Sequence, residues 1–379
     1  MGLREPPYHH RSGIVGICQL TLPWRRYIVA HFVKNSKLVI FSNVDLISVV
    51  ALNYLRFNKP KEAKIYLKKF FENNSLEFDF DKEYLDIAKR EIEKAEKLGV
   101  KIIPFFEEAF PSSLLNIPDK SLLLYVKGDF KGFTEEAIAV VGSRKCTEYG
   151  KSISYKIAYD LGSASVTVVS GLAYGIDSAA HNGAIDANGR TVAVLGSGID
   201  IIYPKDHLNL AKKIENHGFL VSEFPFGTAP VKYNFPFRNR IISALSLGVV
   251  VVEAELKSGS LITAGHALDQ GKQVFAVPGN ITSPSSAGTN ALIRDGAIPL
   301  LSTSDIFENI STLKHLALKK EEEQLTKEES EILNVLSDGD TFDTLKEKVK
   351  LNEGELLISL TTLEVKRLIK KNAGRYFKI

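Results

Sequence analysis

Six runs of near-continuous Val, Ile, Ala and Leu, at 138–141, 167–169, 191–195, 219–221, 249–252 and 273–277, constrain this chain more than any other feature. A strand that alternates apolar and polar residues buries one face of its sheet, whereas an unbroken apolar strand is buried on both. Stretches of helical spacing separate the runs, at 149–161, 178–187, 236–247 and 261–270. Strands alternating with helices imply a right-handed, doubly wound, mostly parallel sheet, an α/β fold of Rossmann-like type. Such sheets bind their ligands outside the carboxyl ends of the strands. The turns that follow the runs are therefore where function is expected.

The sharpest of these turns is Gly142-Ser143-Arg144. Glycine lets backbone approach a ligand, the next helix offers unpaired N–H groups, and the Arg144 guanidinium is a fork of donors for phosphate oxygens. The competing reading is a tight turn whose arginine pairs with a neighbouring carboxylate. Two familiar phosphate motifs do not fit. Gly150-Lys151-Ser152 resembles the tail of a P-loop, but the required first glycine falls at Lys145. Gly196-Ser197-Gly198 starts a dinucleotide fingerprint, but its third glycine falls at Ile201, where no helix starts. Neither Walker-type ATP hydrolysis nor NAD binding is expected, and no cofactor is.

A second cluster joins Lys232, Phe235, Arg238, Asn239 and Arg240 at the start of one helix, with Pro236 expected at the first helical position. Helical phase puts Arg238 with Ile241, Ile242 and Leu245 and aims it back at a pocket mouth, while Arg240 points elsewhere. An aromatic ring beside cations suits sequence-tolerant single-strand binding. The bland alternative is a core phenylalanine among capping residues. Asp177 and His181, at i and i+4, could be an acid–base pair. With no nucleophile or third metal ligand spaced to join them, a buried Asp177–His181 hydrogen bond is expected instead, and neither catalysis nor a metal site. Glu223 and Glu253 end strands and are candidate anchors for the arginines. Ser258, Ser260, Thr263, Thr289 and Asn290 are candidate pocket-lining residues.

Around this centre, residues 1–105 read as a helical N-terminal domain similar to SAM or helix-hairpin-helix domains, 106–310 as the Rossmann-like domain, 311–325 as a linker and 326–379 as a compact unit whose element order resembles a winged-helix domain. In the first of these, 81–98 is a clear amphipathic helix and 38–55 reads as a buried helical hairpin. Ser42, Asn43, Asp45 and Ser48 interrupt that apolar stretch, so no membrane span is expected. The apolar 14–22 is followed by Pro23, Trp24, Arg25 and Arg26 rather than small residues, unlike an export signal. Two cysteines without CxxC spacing, Cys18 and Cys146, fit a reducing cytoplasm. In the last domain, 328–336, 341–349 and 353–366 read as helices, followed by a basic stretch and a short strand at 375–377. Its third helix carries Glu353, Glu355 and Glu364, which argues against ordinary groove reading. With 48 basic and 45 acidic residues, the net charge of +3 does not argue for nucleic acid, so an anion site must be local.

The ordered series VGSR (141–144), SGLAYGIDSAAH (170–181), GSGIDIIYP (196–204), SEFPFG (222–227), FPFRNRII (235–242), GSLITA (259–264), VFAVPG (274–279) and GTNALIRDGA (288–297) resembles the DprA/Smf family. The resemblance is dense over 110–307. It implies a non-enzymatic protein that binds and protects incoming single-stranded DNA and loads the RecA recombinase during natural transformation. It also implies a homodimer formed through the C-terminal half of the Rossmann-like domain, with 261–277 as the candidate segment. Carried onto this sequence, the family's DNA pocket is Arg144 with Gly142 and Ser143, Gly171 and Tyr174 of SGLAYGID, then Lys232, Phe235, Arg238 and Asn239. Many members place Arg or Lys where this chain has Tyr174. The alternative is a nucleotide-processing or nucleotide-sensing enzyme related to phosphoribohydrolases. It lacks support here, because Pro278-Gly279-Asn280 and Gly288-Thr289 lack the double glycine and glutamate of that group.

Overall fold

The computed structural model describes residues 31–34, 37–40, 45–73, 80–134, 136–316, 325–337, 339–365, 368–372 and 374–378. The segment 14–22 with Cys18, and residues 317–324 of the expected linker, lie outside them. A hairpin of β1 (His31–Lys34) and β2 (Lys37–Ile40) comes first, with His31 opposite Ile40 and Lys34 opposite Lys37. Three helices follow: α1 (Leu46–Asn58), α2 (Pro60–Asn73) and α3 (Lys82–Lys97). The helical hairpin expected over 38–55 is thus half wrong. Val39 and Ile40 are β-branched and pair in a ladder. Asp45 does not interrupt a helix but starts one: its carboxylate caps α1 by accepting from the Ser48 amide at 2.8 Å.

The apolar runs then form one sheet with two further strands before them and one after. In chain order these are β3 (Lys101–Pro104), β4 (Leu123–Gly128), β5 (Ala137–Val141), β6 (Thr167–Ser170), β7 (Thr191–Val194), β8 (Gly218–Ser222), β9 (Gly248–Val251), β10 (Gln273–Ala276) and β11 (Ile298–Pro299). Their spatial order in the 9-stranded sheet is β11-β10-β9-β5-β6-β7-β8-β4-β3. From β11 across to β8 all pairings are parallel, while β4 pairs antiparallel with both β8 and β3. The helices between strands are α4 (Glu148–Ser163), α5 (Ile176–Asp186), α6 (Leu208–His217), α7 (Asn234–Ala244), α8 (Ser260–Asp269) and α9 (Pro284–Arg294). Every residue of β5, β6, β7, β8 and β9 is buried, as unbroken apolar runs require. The expected mostly parallel α/β sheet is therefore present.

The chain forms two compact units, 1–305 and 306–379. In the first, one apolar core runs from Val49, Leu52 and Leu55 of α1 and Ala88 of α3 to Leu123, Tyr125 and Val169 of the sheet. The second has its own core, built on Ile332, Leu345, Leu356, Leu360 and Tyr376. It contains helices Lys327–Val335, Phe342–Lys348 and Glu353–Val365 and a 3-stranded antiparallel sheet of Asp340–Thr341, Ile369–Asn372 and Arg375–Lys378. Thr326 and Glu329 close the first of these helices with a reciprocal capping box.

Candidate nucleic-acid interface

The strand order reverses at β5: β6, β7 and β8 extend the sheet on one side, and β9, β10 and β11 on the other. Crevices of this kind open where neighbouring connections leave on opposite faces. A cavity of about 640 Å³ is lined by the turn after β5, the first turns of α7 and the turn before α8.

Gly142 is needed at the floor because a Cβ there would stand 2.6 Å from Ile176 Cγ1 and 2.9 Å from the Glu253 carbonyl oxygen. The Ser143 amide donates to that carbonyl at 2.7 Å, which pins the turn to the end of β9. Glu253 also holds the start of α4. Its carboxylate accepts from the Thr147 amide at 2.8 Å and the Thr147 hydroxyl at 2.6 Å. It anchors the GSR turn and the α4 N-terminus rather than an arginine, contrary to expectation. Arg144 is exposed and has no carboxylate ion pair among the described residues. Its guanidinium lies over the Phe235 ring, 4.9 Å from the centroid.

Helix α7 starts two residues earlier than expected, so Pro236 sits within its first turn, where amides have no intrahelical partner to lose. Phe235 is half-buried, with Arg144 near its face and the Arg238 guanidinium 5.9 Å from its centroid. Arg238 is buried: Nη1 donates to the Gly171 carbonyl at 2.9 Å and to the Val194 carbonyl, and Nε donates to Asn239 Oδ1 at 3.1 Å. Burial draws its pKa down to about 10, partly offset by Asp177. Asn239 in turn donates to the Gly259 carbonyl at 3.2 Å, tying α7 to the turn before α8. Arg240 points away, as expected. It forms a two-pronged pair with buried Glu223 at 2.6 and 2.7 Å, so Glu223 anchors this arginine and not those of the cavity.

Of the expected site residues, Gly142, Ser143, Arg144, Lys232, Phe235, Arg238 and Asn239 line this cavity. Gly171 lies behind it, under the Arg238 guanidinium. Tyr174 is exposed outside it, with its hydroxyl donating to Asp206 Oδ2 at 2.5 Å. Ser258, Ser260 and Thr263 are lining residues, but Thr289 and Asn290 are not: Thr289 donates to the Ser286 carbonyl, and Asn290 clamps the Gly279 backbone from both sides. Asp177 does not bond His181. It accepts from the Gly171 and Ala173 amides at 3.1 and 3.4 Å, because the loop after β6 folds its free amides back onto the carboxylate. His181 Nδ1 instead meets Thr191 Oγ1 at 2.7 Å. Lys145, Tyr203 and Lys257 also line the cavity, although the sequence reading does not propose them as site residues. Arg144, Lys145, Lys232, Arg238 and Lys257 face only Asp177 and Glu255, so the cavity is locally basic in a nearly neutral chain.

A sequence model of the family described as DNA recombination-mediator protein A matches residues 101–311. The chain belongs to this family. It is 44% identical over 232 residues to protein Smf of Escherichia coli K12, covering 60% of this chain and 62% of that protein. The chain thus spans less than two thirds of that relative. It is 43% identical over 213 residues to the DNA processing protein DprA of Bacillus subtilis 168, covering 56% of this chain and 72% of that protein. The X-ray structure of DprA from Streptococcus pneumoniae matches with a TM-score of 0.56 and 33% identity, over 70% of this chain and 94% of the other. A Helicobacter pylori DprA structure, solved to describe that protein's single-stranded DNA binding mode, matches with a TM-score of 0.50 and 29% identity over 57% and 96%. The family description names a recombination mediator rather than an enzyme.

Proposed function

We propose that this chain binds single-stranded DNA in the cavity at the β5–β9 crevice and passes the strand to a RecA-type recombinase, as incoming DNA requires in natural transformation. The observation that carries this reading is the Phe235 ring flanked by the Arg144 and Arg238 guanidiniums at 4.9 and 5.9 Å, inside a basic cavity. Arg144 and Lys232, both exposed, meet phosphate oxygens. Phe235 offers a face to a base, and Gly142, Ser143, Gly171, Arg238 and Asn239 shape the site around them. The single-strand binding of the H. pylori relative supports the same ligand.

The helical segment within 1–105 and the winged-helix-like unit within 326–379 are proposed as accessory domains that precede and follow the Rossmann-like 106–310 in the chain, in a cytoplasmic homodimer. No described helix is long and apolar enough to cross a membrane. Recombinase loading is tested by whether the protein speeds RecA filament growth on pre-coated strand.

The DNA site is tested by anisotropy of labelled oligo-dT across a salt series, with a duplex control. The wild type is expected to prefer the single strand. The double variant Arg144→Ala, Lys232→Ala is expected to bind more weakly, with a log–log salt slope shallower by about 0.7 per lost phosphate contact. Unchanged binding by the double variant would sink the cavity as the DNA site, and free base released from nucleoside monophosphates would favour the enzymatic alternative.

A further inference from the structure

Tyr203 belongs to no part of the reading so far, yet it lines the cavity and leaves 42% of its surface in water. Its ring centroid is 5.7 Å from that of Phe235 at an interplanar angle of 45°, so the two rings are neighbours without covering each other's faces. Tyr174, 41% exposed, is tied to the segment that follows Tyr203, where its hydroxyl donates to Asp206. The three rings come from separate places in the chain: the first turn of α7, the turn after β7 and the turn after β6. Their convergence is a property of the sheet's carboxyl edge, not of one motif.

Tyr174 is held in place before any ligand arrives. Its hydroxyl donates to Asp206 at 2.5 Å, and the His207 ring meets it edge-on with centroids 4.9 Å apart. His207 is itself fixed, its Nδ1 donating to the Leu172 carbonyl at 2.9 Å. A ring fixed in this way loses little freedom when a base stacks on it. The Asp206 carboxylate, next to the exposed Lys205, leaves this end without net positive charge. The cations Arg144, Lys145, Lys232 and Lys257 lie at the cavity. Charge therefore places the backbone on the cavity side and leaves bases to meet the tyrosines.

We infer that Tyr203 is a base-stacking residue linking Phe235 in the cavity to Tyr174 outside it, so that consecutive bases of one strand lie along these rings. The inference rests on the single-strand reading above. It also gives Tyr174, which stands outside the cavity, a part in binding through its ring rather than through charge.

The test is anisotropy of labelled oligo-dT with the full chain carrying Tyr203→Leu, Tyr203→Phe or Tyr174→Leu, each across a salt series and beside a thermal melt. Tyr203→Leu is expected to weaken binding about tenfold, as loss of one stacked base does. Its salt slope should stay at the wild-type value, because no phosphate contact is lost. Tyr203→Phe keeps the ring and should recover most of the loss, and Tyr174→Leu should weaken binding in the same salt-independent way. Wild-type affinity in Tyr203→Leu, or equal damage in Tyr203→Phe and Tyr203→Leu, would overturn the stacking role while leaving the cavity reading intact. Failure of the wild-type chain to bind oligo-dT at all would overturn both.

Discussion

Arg238 and His181 show how burial divides polar residues that look alike in a sequence. Arg238 keeps its charge because the carbonyls of Gly171 and Val194 and the Asn239 side chain accept from it, with Asp177 nearby. A buried cation without such partners would lose it. His181 has the opposite fate. The Thr191 hydroxyl already donates to the Val168 carbonyl at 2.8 Å, so it can only accept from His181 Nδ1, which must carry the ring proton. Nε2 is then a buried acceptor with no partner among the described residues. Burial lowers the pKa of this imidazole from 6.5 to about 3. The folded pKa is depressed, so unfolded chains bind more protons than folded ones between these values, and stability falls as pH drops from 6.5 toward 3. The slope from this one group reaches about 1.4 kcal/mol per pH unit. Urea unfolding at a series of pH values should show a steeper acid loss in the wild type than in His181→Gln; parallel curves would mean that His181 protonates freely in the fold.

Helix α7 is the element on which the site depends, because Phe235, Arg238 and Asn239 occupy its first turns. Its far end is held by a residue distant in the chain. Lys272 reaches from the turn before β10 and donates to the carbonyls of Ser243 and Ala244, both at 2.7 Å, and of Ser246. A cation among the last carbonyls of a helix satisfies acceptors that lack intrahelical donors and opposes the negative end of the helix dipole. Lys272→Met keeps the stem and removes these bonds, and should cost about 2 kcal/mol of stability, the scale of a charge-assisted hydrogen bond set. Denaturant unfolding measures that loss. A midpoint equal to the wild type's would show that water caps α7 equally well. The helical segment ahead of the sheet also touches this element's surroundings: Asn53 of α1 donates to the carbonyl of Glu223, whose carboxylate holds Arg240 of α7.

At the scale of the molecule, the charge that matters is local. A chain with a net charge of +3 concentrates cations at one crevice while spending Arg240 on a buried pair. Apolar surface is also distributed unevenly. Ile262 and Leu268 of α8 and Leu256 in the turn before it are exposed, in or next to the segment 261–277 put forward for self-association. A contiguous exposed apolar patch marks an association surface, and these side chains are the ones that test for it. If two copies meet there, the double variant Ile262→Glu, Leu268→Glu should sediment as a monomer where the wild type sediments as a dimer. A wild-type monomer, or a dimer that survives both charges, would remove this face from consideration.

Local pattern determined much of this protein. Unbroken apolar runs require burial on both faces, hence a parallel sheet between helices, and a glycine turn at the end of such a run requires a crevice. Gly142, Arg144, Lys232, Phe235 and Asn239 were legible for that reason: each lies at a turn or helix start whose position the pattern sets. The antiparallel β4 was not read at all, though 122–126 is as apolar as the other runs, and its direction depends on which edge of the sheet it reaches. Nor could spacing alone assign partners. Asp177 and His181 share a helix face, yet one carboxylate turns to the amides of Gly171 and Ala173 and the imidazole to Thr191, since buried groups take whichever donor or acceptor the packed neighbours present. Tyr203 joins the cavity only because the turn after β7 packs beside the start of α7, a long-range contact that no local periodicity encodes.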